Sequence, residues 1–159
     1  MTISIRPAKP DDVPTVAHLI RALSQYEKLE HEVTMTEDKL RATMFGARPY
    51  AEALLAEEEA KPVGFALFFH NYSTFLAQPG LYLEDLYVLE SHRGKGVGKS
   101  LLVNLAKIAV ERNCGRLEWA VLDWNVDAIG FYERLGARPN SDWTVYRLSG
   151  EPLRRLAGQ

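Results

Sequence analysis

The chain has 159 residues, of which 47% are hydrophobic and 25% are charged, with a formal net charge of −2. This composition is typical of a soluble globular protein, and the length predicts a single domain over residues 1–159. The slight acidity argues against a nucleic-acid-binding protein, and no apolar run approaches the roughly 18 residues of a membrane span.

Cys114 is the only cysteine, which excludes a disulfide within the chain and a zinc site built from several thiolates. The four histidines have no metal-ligand spacing, so we predict no metal. No basic start followed by an apolar stretch of signal-peptide length is found. We therefore expect a cytoplasmic protein with neither a membrane nor a nucleic-acid partner.

Local patterns in the first half of the chain predict alternating helices and strands. Apolar residues recur at helical spacing early in the chain. After residue 50 apolar and polar residues alternate, which is typical of strands. Thr36 is a predicted N-cap and Gly46 a predicted helix end. The predicted elements are a strand at 3–6, a helix at 13–29, a helix from Thr36 to Gly46, and strands at 50–58 and 62–72.

The second half of the chain alternates more regularly between strands and helices. The predicted elements are a strand at 81–89, a helix at 98–113, a strand at 117–122, a helix at 125–135 stopped by Gly136, and a strand at 137–148. Antiparallel strands that come first and β-α-β crossovers that come later indicate a mixed α/β domain.

The stretch before the long helix reads Arg93-Gly94-Lys95-Gly96-Val97-Gly98-Lys99-Ser100. Alternate glycines permit backbone dihedrals that other residues resist, and they leave amide N–H groups open to a ligand. The following helix adds its positive N-terminal end, so the segment predicts a phosphate-binding turn. A tight surface turn without a ligand is the alternative.

Two common phosphate motifs each fail here at one position. The P-loop needs a glycine where Arg93 stands, and the dinucleotide-binding pattern needs one where Lys99 stands. A third class of phosphate-containing ligand is therefore favoured.

Two signatures resemble the GNAT superfamily of N-acetyltransferases. Arg93, Gly96 and Gly98 occupy the places of its acetyl-CoA pyrophosphate loop, and Asn125 with the run 130–137 (Gly-Phe-Tyr-Glu-Arg-Leu-Gly-Ala) is similar to its second signature. The resemblance implies a mostly antiparallel central sheet flanked by helices, a β-α-β core that binds acetyl-CoA as cosubstrate, and a homodimer.

A closer resemblance is to the diamine (spermidine/spermine) acetyltransferases, through residues 5–8, 26–29, 82–88 and 121–125. Polyamine enzymes of that group carry an acidic residue and a tryptophan where Ser73 and Phe75 stand, and this difference resembles the thialysine branch. The expected acceptor is a lysine-like primary amine, followed by a polyamine and then a protein amine. A P-loop nucleotide-binding protein and a CoA-binding module without catalysis are the alternatives from other classes.

The resemblance also assigns roles to side chains. An alkyl ammonium has a pKa near ~10.4, so the enzyme must remove a proton before the amine can attack. Glu84 is the expected base, and binding of the substrate cation is its alternative role. Adjacent residues of a strand point to opposite faces, so Asp85 is expected either to be structural or to orient substrate. Tyr132 is the expected general acid for the departing thiolate.

The remaining site residues are expected from the same resemblance. The backbone of 86–88 is expected to line the pantetheine arm and to donate an N–H to the thioester oxygen. Asn125 is expected to bind pantetheine or to cap its helix, and substrate binding is expected to involve Glu27, Glu84, Asp85, Ser73 and Phe75. The expected cofactor-binding residues are Leu86, Tyr87, Val88, Arg93, Gly94, Lys95, Gly96, Val97, Gly98, Lys99, Asn125 and Tyr132.

Overall fold

A computed structural model describes residues 2–158, in which the chain divides into two units between Ala120 and Val121. The prediction of one domain over residues 1–159 stays a prediction, and its end residues Met1 and Gln159 lie outside the described residues. None of the helices described is long and apolar enough to cross a membrane.

A five-stranded sheet with the order β1-β2-β3-β4-β5 frames the first unit. Its strands are β1 (Ile3–Pro7), β2 (Glu52–Glu58), β3 (Lys61–Ser73), β4 (Gln78–Val88) and β5 (Leu117–Trp119). The first four strands pair antiparallel, and β5 pairs parallel with β4. The predicted mixed, mostly antiparallel sheet is therefore confirmed.

Helices cover both faces of this sheet. They are α1 (Val13–Tyr26), α2 (Glu37–Met44) and α3 (Val97–Glu111), and α3 connects the parallel strands β4 and β5. Residues of α1 and α2 form one buried cluster with Leu55 of β2 and Phe65 of β3. Side chains alternate between the faces of a strand, so the equally buried Leu54 lies on the other face, where α3 packs.

Local sequence signals predicted the start of α2 correctly and the end of α1 incorrectly. The side chain of Thr36 accepts a hydrogen bond from Lys39 N at 3.1 Å and caps α2, as predicted. Helix α1 ends at Tyr26 and not at residue 29, because Lys28 takes a left-handed backbone conformation with φ 60°.

The second unit contains α4 (Val126–Arg134) and α5 (Gly150–Leu156). Gly136 follows α4 with φ 94°, as expected for a helix stop. The predicted strand at 137–148 is wrong, since none of these residues lies in a strand. Its apolar pattern has strand propensity, but a strand forms only against a partner and none pairs with it within residues 2–158. The predicted strand at 117–122 is likewise shortened to β5, and α5 was not predicted.

Candidate active site

A β-bulge in the middle of β4 shapes the region where the catalytic carboxylates were expected. Asp85 pairs with Leu67 and Leu83 pairs with Phe68, so Glu84 has no partner residue on β3. A bulge interrupts the strict alternation of side chains along a strand. The expectation that Glu84 and Asp85 point to opposite faces therefore loses its basis at this point of the strand.

The two carboxylates differ in their surroundings. Glu84 is exposed, and Asp85 is half-buried. Burial, together with the negative charges of Glu84 and Glu27, raises the pKa of Asp85 to about 7. A carboxyl group whose pKa lies near neutral pH is typical of groups that exchange protons in active sites.

Glu27 joins the same group from the end of α1. It is the residue that caps α1 at its C-terminal end, and burial raises the pKa of its carboxyl. The negative charge of Glu27 contributes to the raised pKa of Asp85, as does that of Glu84, so three acidic side chains from two elements interact electrostatically. We call Glu27, Glu84 and Asp85 the acidic cluster. Negative charge gathered in this way favours the binding of a cation such as an alkyl ammonium.

One edge of β4 loses its strand partner at the bulge. Strand β5 pairs with residues 81–83 only, so residues 84–88 have no neighbour on that side within the described chain. Backbone N–H and C=O groups at a sheet edge are available to a ligand. The expected pantetheine-binding backbone at 86–88 therefore lies along an open stretch of strand.

The glycine-rich turn leads from β4 into α3. Gly94 and Gly96 have φ 73° and 85°, the left-handed region that glycine enters without penalty. Gly96 is the N-cap of α3 and supplies no side-chain cap. The amides of 94–99 donate no hydrogen bond to any residue described, and they lie at the positive end of the helix. Amides arranged in this way suit a phosphate-bearing ligand, and binding of such a ligand by the turn stays a prediction.

Arg93 connects the turn to the acidic cluster. Its Nε donates to the carbonyl of Val88 at 3.0 Å. Its guanidinium carbon lies 4.5 Å from the ring centre of Tyr26 and 5.4 Å from that of Tyr87. The sequence predicted Arg93 as a cofactor contact, and no signal in the sequence indicated its contact with Tyr26. Arg93 of the glycine-rich turn therefore contacts the ring of Tyr26, the residue that precedes Glu27.

The expected residues of the second unit lie on and next to α4. The side chain of Asn125 accepts a hydrogen bond from Ala128 N at 3.3 Å, so the N-cap alternative for Asn125 is confirmed. Tyr132 is half-buried, and its ring centre lies 5.5 Å from that of Phe131.

Ser73 and Phe75 stand at the hairpin between β3 and β4. The hydroxyl of Ser73 accepts a hydrogen bond from Leu76 N at 3.3 Å, and Phe75 is 98% exposed. Ser73 pairs with Gln78, which precedes Glu84 by six residues, roughly 20 Å along the strand. A single chain therefore does not bring these two residues to the acidic cluster.

The described residues contain no group of histidine, cysteine and acidic side chains arranged to hold a metal ion.

The chain is similar in sequence to acetyltransferases of known function. A bovine protein (Bos taurus), thialysine N-epsilon-acetyltransferase, is 38% identical over 99% of this chain and 98% of its own length. L-ornithine N5-acetyltransferase of Arabidopsis thaliana is 34% identical over 96% of this chain and 86% of its own length. The resemblance to the thialysine branch is thereby confirmed.

A solved structure supports the same relationship. An integron cassette protein of V. cholerae superposes with a TM-score of 0.83 at 29% identity, covering 100% of this chain and 99% of the other. The profile of the Acetyltransferase (GNAT) family matches residues 16–137, which include the bulge, the glycine-rich turn and α4. The chain therefore belongs to the Acetyltransferase (GNAT) family and is an acetyltransferase.

Proposed function

We propose that this enzyme transfers the acetyl group of acetyl-CoA to the side-chain amine of a small lysine-like amino acid, with thialysine favoured. The observation that carries the proposal is the acidic cluster beside a phosphate-binding turn. Arg93 ties the turn to Tyr26, and the next residue, Glu27, belongs to the cluster. A cation site and an anion site thus adjoin in one unit.

Acetyl-CoA supplies an acetyl group activated as a thioester. The amides of 94–99 would hold its pyrophosphate, because they have no partner in the described chain and lie at a helix N-terminus. The unpaired edge of β4 at 86–88 would run beside the pantetheine arm. An N–H at this edge would stabilise negative charge on the carbonyl oxygen.

The acidic cluster would bind and orient the acceptor's ammonium group. An ammonium near a carboxylate in a half-buried site is attracted far more strongly than in bulk water. Transfer in a ternary complex needs no covalent enzyme intermediate, because the amine attacks the thioester directly. Tyr132 is the proposed acid for the thiolate, and Asn125 supports it by capping α4.

The relatives favour an amino acid with a terminal amine over other amines. One is named for the Nε position of thialysine and another for N5 of L-ornithine. A polyamine is the second candidate, because the three carboxylates of the acidic cluster could bind more than one ammonium group. Ser73 and Phe75 would select the acceptor only if the hairpin approached a site in another copy of the chain.

We also propose a cytoplasmic homodimer. The second unit supports the dimer, because Trp143, Val145 and Tyr146 are 75%, 89% and 94% exposed. Exposed apolar side chains in such a number are typical of an interaction surface.

Thiol release from acetyl-CoA tests the proposal. The panel contains thialysine, lysine, ornithine, spermidine and a short diamine, each assayed with the wild type and with Glu111→Gln, an exposed change in α3 outside the acidic cluster. We expect kcat/KM to be highest for thialysine or another lysine-like amine in both proteins. A clear preference for spermidine would replace the first candidate with the second. Acetyl-CoA binding without thiol release from any amine would contradict both.

A further inference from the structure

The residue at the entrance of the glycine-rich turn is held by hydrogen bonds at both of its ring nitrogens. His92 Nε2 lies 2.8 Å from a carboxylate oxygen of Glu58, and His92 Nδ1 lies 2.8 Å from the hydroxyl oxygen of Ser91. His92 ends a short 3-10 helix (Glu90–His92) that follows β4, and Arg93 comes next. Glu58 is the last residue of β2. The contact therefore joins the start of the turn to a different strand of the sheet.

The bond to Glu58 is the same in both protonation states of the His92 ring. An ionised carboxylate accepts hydrogen bonds and donates none, so the Nε2 atom carries a hydrogen and donates it to Glu58. The Ser91 hydroxyl either donates to Nδ1 of the neutral ring or accepts from Nδ1 of the charged ring. The imidazole is thus fixed in its orientation whether or not it is charged.

Glu58 is a firm anchor because its backbone lies inside the sheet. It pairs with Ile3 of β1 on one side and with Lys61 of β3 on the other. The side chains of His92 and Glu58 are 19% and 28% exposed, so much of the contact is shielded from water. A charge-assisted hydrogen bond in such a place holds its partners more firmly than an exposed ion pair does.

Beyond this contact, little else holds the glycine-rich turn. Among the described residues, His92 and Arg93 are the two members of the segment 90–96 whose side chains form hydrogen bonds outside the segment. A Cβ at Gly94 or Gly96 would meet no atom within 4 Å. The backbone between these contacts and α3 therefore lies open, without packing to fix it.

An open backbone rich in glycine is costly to order. Glycine loses more conformational freedom than any other residue when its dihedrals are fixed. A ligand that binds such a segment has to offset this loss, and a segment that already holds its bound conformation binds more tightly. A fixed residue at the entrance of the turn reduces the cost of arranging the amides of 94–99.

We propose that the hydrogen-bonded pair of His92 and Glu58 is a positioning element for acetyl-CoA, which holds the entrance of the glycine-rich turn in place for the pyrophosphate. This inference rests on the proposed function and specifies which side chains prepare the cosubstrate site. Arg93 holds the turn to α1 and β4, and His92 holds it to β2. Both members of the pair act through the backbone of the turn and take no part in the chemical step.

Calorimetric titration with CoA, which carries the same pyrophosphate, compares the wild type with two variants of His92. Glutamine places its amide nitrogen close to the position of Nε2, whereas the shorter asparagine does not reach Glu58. We expect His92→Asn to raise the Kd for CoA about three- to tenfold, because the turn is then ordered only on binding. His92→Gln should bind CoA nearly as the wild type does. The KM for acetyl-CoA should follow the Kd, with kcat and the KM for the amine nearly unchanged.

A double-mutant cycle tests whether the two residues act as a pair. We expect Glu58→Ala to weaken CoA binding as His92→Asn does, and the double variant to be no weaker than either single one, since all three lose the same contact. Glu90→Ala, an exposed change in the same short helix, is the control and should bind CoA as the wild type does. Thermal unfolding without CoA checks that each variant is folded.

The comparison of His92→Asn with His92→Gln decides the question even if Glu58→Ala fails to fold. An unchanged Kd for CoA in a folded His92→Asn, or equal losses in the asparagine and glutamine variants, overturns this inference alone. Losses that add in the double variant do the same. A wild type that binds no CoA overturns the proposed function and this inference together. A wild type that binds CoA and acetylates no amine of the panel overturns the proposed function alone.

Discussion

The carboxyl group of Asp85 makes the folding stability depend on pH. Its pKa is raised from 3.8 to about 7, so between these values the folded protein holds a proton that the unfolded chain releases. The free energy of unfolding therefore falls as pH rises through this window, and the cost is fully present above pH ~7. Active sites often retain such unfavourable groups because their chemistry requires them.

Replacing this carboxyl with an amide should stabilise the protein at alkaline pH. We expect Asp85→Asn to raise the free energy of unfolding at pH ~8 by up to about 4 kcal/mol, and to have little effect at pH ~4. Denaturant unfolding at the two pH values measures the difference. Glu84→Gln is the matched control, with a smaller gain in the same direction. Equal stability of Asp85→Asn and wild type at pH ~8 would contradict the assigned environment.

The bulge is the part of the site that the sequence did not predict. The regular alternation of side chains along a strand predicted that Glu84 and Asp85 lie on opposite faces. No glycine or proline within 83–86 indicates an irregular strand. A bulge depends on the register that two strands adopt together, and register is a property of the pair. The different environments of Glu84 and Asp85 depend on how β4 pairs with β3, so the sequence of β4 alone could not predict them.

At the scale of elements, the glycine-rich turn combines a left-handed backbone with a helix N-terminus. A side chain at Gly96 would meet no atom within 4 Å, so only its φ of 85° opposes a substitution. Forcing an alanine into the left-handed region costs ~1–2 kcal/mol. We expect the backbone at residue 96 to relieve this strain by moving, which would displace the amides of 94–99 that are proposed to hold the pyrophosphate.

We expect Gly96→Ala to raise the KM for acetyl-CoA by several-fold to tenfold and to leave the KM for the amine nearly unchanged. Gly158→Ala is the matched control, because Gly158 has a φ of 89° and no atom within 4 Å of a new Cβ, and it lies outside the turn. Steady-state kinetics on both substrates makes the comparison. An unaltered KM for acetyl-CoA in Gly96→Ala would argue that the turn is only a connection between β4 and α3.

The start of α1 is connected to the sheet by a half-buried network of charged side chains. Arg6 of β1 donates to both carboxylate oxygens of Asp12 at 2.8 and 2.9 Å, and to Glu57 of β2. Hydrogen bonding by Arg6 lowers the pKa of Asp12 from 3.8 to about 2. This carboxylate thus stabilises the fold above pH ~4, and its contribution is lost as pH falls through about 2.

We expect Asp12→Asn to lower the free energy of unfolding at neutral pH by about 1 kcal/mol, because solvent screens a pair that is only partly buried. The loss should shrink toward pH ~2, where the wild-type carboxyl is itself protonated. Asp11→Asn, one residue earlier and exposed, should have little effect at either pH. Chemical denaturation of the three proteins is the measurement, and a pH-independent loss in Asp12→Asn would refute the ionic contribution.

Elements with local signals were predicted well, and those that depend on distant partners were not. Thr36 and Gly136 act within one helical turn, so their caps follow from the sequence. The apolar alternation at 137–148 needs a neighbouring strand, and none pairs with it among the residues described. The conformation of the glycine-rich turn was predictable because Gly94 and Gly96 take the left-handed dihedrals that glycine permits.

At the scale of the whole molecule, the second unit has little core of its own. Asn125 is the one buried residue among those described from Val121 onward. Large apolar side chains in this unit remain exposed, among them Trp143, Val145, Tyr146 and Leu156. A segment of this size that buries so little is expected to gain stability from association.

The homodimer is tested by sedimentation equilibrium at micromolar concentration. We expect a dimer for the wild type and a shift toward monomer for Val145→Glu, since a charge at an apolar contact is costly to bury. Glu151→Gln is an exposed control in the same unit and should leave the mass unchanged. A monomeric wild type at these concentrations would contradict the proposed dimer.

The central claim is that an acetyl group passes from acetyl-CoA to the side-chain amine of a lysine-like amino acid. Mass spectrometry with fragmentation of the product formed from thialysine tests it most directly. The account predicts one added acetyl group, located on the side-chain nitrogen, and none when acetyl-CoA is omitted. Acetylation of the α-amine, or no acetylated product at all, would contradict the account.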